Sequence, residues 1–177
     1  MLLRLVLSFG LLLTGNYPLS AEPYLGKATQ IIKSLEREAL EGLSGVFVSV
    51  SELDQAVEAN GLKQTDIQTD VELQLRRNGI KVLSGEEWLN AEGTPILTVR
   101  IGTAGGGTGS YAYYIELGLQ QDVLLKRRMD AQPRLANVWQ GWGKLGIIHA
   151  ARVRELRSII ADEVNGFAND YLAANSK

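Results

Sequence analysis

The sequence predicts an α+β fold: a two-layer sandwich in which a four- to five-stranded, mostly antiparallel sheet carries two main helices on one face. Three observations lead there. Residues 111–120 alternate strictly, with Tyr111, Tyr113, Ile115, Leu117 and Leu119 on one side and Ala112, Tyr114, Glu116, Gly118 and Gln120 on the other. A period of two over this length marks a strand with one packed face and one wet face. Residues 150–174 carry Val153, Leu156, Ile160, Val164, Phe167 and Tyr171 as an unbroken helical stripe. The remaining elements run helix, strand, helix, short strand and then a meander before that last helix, an order that suits helices laid on an antiparallel sheet.

Each element has its own local signal. Residues 24–41 read as a helix with Ile31, Ile32, Leu35 and Ala39 along one side, ended by Gly42 and Gly45. The β-branched run Val46, Val48 and Val50 reads as a strand. Residues 63–78 form a second helix, with Ile67, Val71 and Leu75 recurring on one face. Asn78-Gly79 closes it, because glycine takes the left-handed conformation of the last turn and lets Ile80 fold back. A short strand at 80–83 follows, and Ser84 with Glu87 three residues later forms a capping box that opens a brief helix. Gly93 and Pro95 turn the chain into a strand in which Leu97, Val99 and Ile101 alternate with polar residues. LANVWQGWGKLGII, at 135–148, reads as one further strand whose glycines permit bulges or close backbone contact.

The chain has 177 residues, 18 cations, 20 carboxylates and no cysteine. Arg4, the apolar run at 5–13 and the small residues Ser20 and Ala21 have the layout of a cleaved secretory signal peptide over residues 1–21. The apolar run is about half the roughly 20 residues that a membrane-spanning helix needs. The rest, 22–177, is expected to be a single α+β domain, periplasmic or secreted, with no membrane span. Without cysteine it can have neither a disulfide nor a lipidated cysteine. A slightly negative balance gives no overall attraction to nucleic acid.

ELQLRRNGIKV, ILTVRI, the alternating tyrosine strand, VWQGWGKLG and FANDYLAAN together resemble an uncharacterised family of exported bacterial proteins, over most of the chain after the leader. The order of elements is also similar to that of the lipoprotein of lipopolysaccharide assembly and of the N-terminal domain of the Tol–Pal propeller protein. Those likenesses imply envelope assembly through protein or lipid contacts, without catalysis. The lipoprotein's lipidated cysteine has no counterpart here.

Candidate chemistry is sparse. AGGGTGS at 104–110 matches the phosphate loop of tubulin-like proteins nearly letter for letter. There the loop leads into a helix whose N-terminal amides hold phosphate. Here a tyrosine strand follows, Tyr111 replaces the motif's last glycine, and no Walker lysine is present, so a hairpin loop is the expectation and nucleotide binding the minor alternative. His149 is the only histidine, which excludes a typical zinc site, and no G-x-S-x-G elbow presents a serine. The carboxylate pairs Asp66/Asp70, Glu86/Glu87 and Asp162/Glu163 leave an envelope hydrolase as the catalytic alternative. No catalytic residue, metal or cofactor is expected.

The better candidates are for recognition. Tyr111, Tyr113 and Tyr114 cannot all face one way, and Trp139 and Trp142 fall on opposite faces of their strand. Tyr111, Tyr114, Trp139 and Trp142, with the basic loop Lys126, Arg127 and Arg128, are therefore the candidate residues for binding an envelope protein or lipid. The competing possibility is a larger core, or a covering segment such as the first helix, that takes the aromatics in. Titration calorimetry with GTP and ATP is expected to give no heat at millimolar concentration; a saturable signal would restore the phosphate-loop alternative.

Overall fold

Residues 22–105, 107, 109–128 and 132–176 are described by the computed structural model. The candidate signal peptide at 1–21 lies outside them. The chain divides into two compact units at Ser34/Leu35. The division falls within the first helix, α1 (Glu22–Glu38), whose Ile31, Ile32 and Leu35 are exposed although the pattern had placed them on a packing stripe.

From Leu35 onward the architecture is a five-stranded, mostly antiparallel sheet with its two longest helices on one face. The strands are β1 (Phe47–Val50), β2 (Ile96–Gly105), β3 (Ser110–Val123), β4 (Arg134–Gln140) and β5 (Lys144–His149). β1 runs parallel to β2, and the crossover between them holds three helices: α2 (Gln55–Ala59), α3 (Gln64–Arg77) and α4 (Gly85–Leu89). A parallel pair needs such a crossover, whereas β2 and β3 are antiparallel and joined by the glycine run directly. The expected strand at 80–83 is reduced to one bridge, Val82 against Val46. The expected strand at 135–148 is two strands, because three residues, 141–143, face only two on β3. β4 pairs with the second half of β3 and β5 with the first half.

Three helix ends have a visible cause. Asp54 caps α2 by accepting from Ala56 N at 2.8 Å. Gly79, at φ +75°, closes α3, and Ile80 N returns to Leu75 O at 3.0 Å. Ser84 and Glu87 form the capping box of α4. Lys81 Nζ, 2.7 Å from Glu87 Oε1, and then the backbone N–H of Ser84 lower the Glu87 carboxyl from 4.5 to about 2. A depressed carboxyl stabilises the fold fully above its ordinary range and loses that contribution as pH falls towards 2. The last helix is a 3-10 turn (Ala150–Glu155) leading into α5 (Leu156–Asn175).

The core lies between the sheet and the pair α3 and α5. α3 contributes Ile67, Val71 and Leu75, and α5 contributes Leu156, Ile160, Val164 and Phe167. They meet Leu97, Val99, Leu117 and Leu119, which the register of β2 and β3 puts on one face. Arg157 ties the two helices at their surface, with Nε and Nη2 at 2.6 and 2.8 Å from Asp70. Phe167 is fully buried with its ring edge-on to Trp139, centroids 5.0 Å apart. Phe167→Ala is expected to lower stability by about 3–5 kcal/mol, the range for emptying a buried phenylalanine site. Guanidinium denaturation measures it; a loss under about 1 kcal/mol would contradict this packing.

Candidate functional site

β3 has two unlike faces, and the aromatic candidates divide between them. Tyr111, opposite Ile148, and Trp139, opposite Leu119, lie on the helix-covered face and are 5% and 3% exposed. The expectation that they contact a partner is corrected: both are core residues. Trp139 Nε1 donates to Asp170 Oδ2 at 2.9 Å, so the indole is satisfied from within, and Tyr111 Oη lies 3.2 Å from Asn60 Nδ2. Tyr114 and Trp142 stand elsewhere. Tyr114 lies on the open face, in step with Glu116, and is 40% exposed. Trp142, in the break between β4 and β5, is 69% exposed.

Around Tyr114 the open face is built from neighbours the strand pairing dictates. Arg100 on β2 is directly opposite Glu116 on β3, and Leu145 on β5 is directly opposite Tyr114. Glu116 is buried, so its carboxyl requires partners. Arg100 Nη2 approaches Oε1 at 3.3 Å, Tyr114 Oη donates to Oε2 at 2.7 Å, and Gln140 Nε2 donates to Oε1. Arg100 Nε, shut off from solvent, meets no acceptor among the described residues. The hydrogen bond to Glu116, then burial, then the carboxylate's charge raise the Tyr114 phenol above its ordinary 10. The cluster is a fixed polar seat for one aromatic ring, with its acceptor already engaged by three donors.

Glycines let the rings lie flat on the strand next door. A Cβ at Gly143 would sit 2.9 Å from the Tyr114 ring, and one at Gly146 would sit 2.6 Å from Tyr113 Oη. Tyr114 thus covers Gly143 on the open face while Tyr113 covers Gly146 on the helix-covered face. At Gly141 a Cβ would fall 2.9 Å from Glu163 Oε2, the buried carboxylate that pairs with Lys144 at 3.2 Å. Beyond Tyr114 the open face continues with Leu145 and Ile147, each 80% exposed. Sequence reasoning passed over these two, although K-L-G-I-I alternates in the manner of a half-exposed strand.

The other candidates lie apart from this patch. Lys126 and Arg127 are exposed in a 3-10 turn (Lys126–Arg128) after β3, and the side chain of Arg128 lies outside the described residues. That turn is roughly 30 Å along the strand from Tyr114, at about 3.4 Å per residue. The glycine run joins β2 to β3 with no helix after it, as expected of a hairpin. His149 caps the 3-10 turn at 150–155 by accepting from Ala151 N at 3.3 Å. Asp66 and Asp70 face Arg157, Glu87 faces Lys81, and Glu163 faces Lys144, so each carboxylate pair has at least one member in a local ion pair. Among the described residues no group of three metal-ligating side chains occurs, and no helix is long and apolar enough to cross a membrane.

No protein-family model matches the sequence, and no curated protein matches it. Glu116→Gln is expected to bring the Tyr114 phenol back towards its ordinary pKa, since it removes the carboxylate that stabilises the protonated ring. A pH titration of the tyrosine ring signals by NMR checks it; an unchanged Tyr114 would contradict the cluster's geometry.

Proposed function

We propose that the protein is an exported, non-catalytic binding or assembly factor of the bacterial cell envelope, and that it meets a protein or lipid partner through the open face of β3 and β5. The carrying observation is the exposure of Tyr114, seated on a polar cluster whose carboxyl is already engaged, and of Trp142 in the break between β4 and β5. Aromatic side chains held rigid at low entropic cost are what interface centres favour. The leader layout at 1–21 supports export, and the absence of cysteine suits a compartment in which the fold needs no disulfide. The engagement of His149 as a cap, and of Asp66, Asp70, Glu87 and Glu163 in ion pairs, favours binding over hydrolysis.

A photo-crosslinking amino acid placed at Trp142 in living cells tests this. The expected result is an adduct with an envelope protein or lipid, absent when the same group replaces exposed Arg77 on α3. The protein should fractionate with the envelope, its leader removed. Cytosolic protein with an intact leader, or identical adducts from both positions, would overturn the reading.

A further inference from the structure

The outer edge of the sheet is guarded along β4 and unguarded along β5. Sheet edges are ordinarily blunted by charge, proline or a bulge, because their unpaired backbone groups invite another strand. β4 has all three: Pro133 and Arg134 at its start and a bulge where Leu119 and Gln120 face Trp139 and Asn137. β5 has none. Its cation Lys144 is turned to the helix-covered face and held by Glu163. Its side chains on the open face are Leu145 and Ile147, each 80% exposed, and at its end the exposed His149.

The pairing pattern identifies which backbone groups are free. Ala150 N donates to Gly109 O, so counting back by twos puts the N–H and C=O of Ile148, Gly146 and Lys144 towards β3. Those of Leu145 and Ile147 then point away from the sheet, and among the described residues no strand pairs there. We infer that β5 is a self-association edge, on which a second copy of this chain adds its own β5 antiparallel about a two-fold axis at Gly146. In that register Leu145 of one copy stands opposite Ile147 of the other, and the reverse. Both pairs are of the hydrogen-bonded kind, so four free donors and four free acceptors are matched at once. Gly146 crosses Gly146 at the axis, where neither copy has a side chain to collide. The residue pattern is its own complement, the requirement for a two-fold interface.

Each Leu145–Ile147 pair also sets two exposed apolar side chains side by side on the open face, which an added coplanar strand leaves uncovered above Tyr114. The sheet would then run continuously from one copy into the next, with the open faces of both on the same side.

Sedimentation equilibrium of the purified protein from micromolar to submillimolar concentration reads the assembly. The expected result is a reversible dimer that Ile147→Lys reduces to monomer, with the far-ultraviolet dichroism and melting temperature of the monomer retained. Because the chain has no cysteine, L145C and I147C can be mixed in equal amounts and oxidised mildly. A reducible heterodimer should form in the mixture and far less in either variant alone, since hydrogen-bonded antiparallel pairs bring Cα atoms about 5.5 Å apart, within disulfide reach. A monomer at every concentration, including one that captures an extended peptide, would overturn the inference. So would a dimer indifferent to Ile147→Lys, or one that cross-links equally well in I147C alone. A β5 dimer and an envelope partner at Trp142 can fail independently: the first is read by mass in purified protein, the second by adducts other than self.

Discussion

The structure depends on one constraint: a fourteen-residue strand, β3, that must satisfy hydrogen bonds on both edges while burying only one of its faces. Ten of its positions, 111–120, lie against β2 without a shift of register. On the other edge the partner changes direction of pairing at neither end, yet it slips twice, once within β4 and once at 141–143. Bulges of this kind increase local twist and re-aim side chains. Here they divide one potential long edge strand into β4 and β5, and Trp142 occupies the break.

The two faces of β3 are then finished by different means. On one, α3 and α5 supply the apolar layer, and the burial of Leu117, Leu119, Trp139 and Phe167 provides the main stabilisation. The buried carboxylate there, Glu163, enters through the space left by the missing side chain at Gly141 and is neutralised by Lys144. The other face is finished without α3 or α5, and its central acid, Glu116, is held by Arg100, Tyr114 and Gln140 instead. α4 covers part of this face near β1, where Trp88 stacks on Phe47 with ring centroids 5.2 Å apart. What stays uncovered, from Tyr114 to Ile147, is the region assigned to recognition.

Much of this was legible in the residues. The alternation of 111–120 foretold the division of β3, the stripes of α3 and α5 foretold the covered face, and the Ser84–Glu87 box foretold α4. The brief α2 was missed although Asp54 is a good cap, because five residues give no helical periodicity to count. The break at 141–143 was missed because glycine-tryptophan-glycine reads equally well as strand or bulge; only the pairing to β3 decides it. Trp139 was misjudged for the same reason, since which face of a strand is buried depends on a register that the strand's own letters do not contain. α1 shows the opposite limit: its stripe of Ile31, Ile32 and Leu35 is clear in sequence and exposed in the structure. Amphipathicity reports a surface that could be buried, and tertiary context decides whether it is.

The central claim is that β3 closes one face and leaves the other open, and hydroxyl-radical footprinting in dilute solution tests it most directly. Trp139 and Tyr111 should be protected until the protein unfolds, while Trp142 and Tyr114 are oxidised in the native state. Oxidation of Trp139 as rapid as that of Trp142, with the fold intact, would contradict the account.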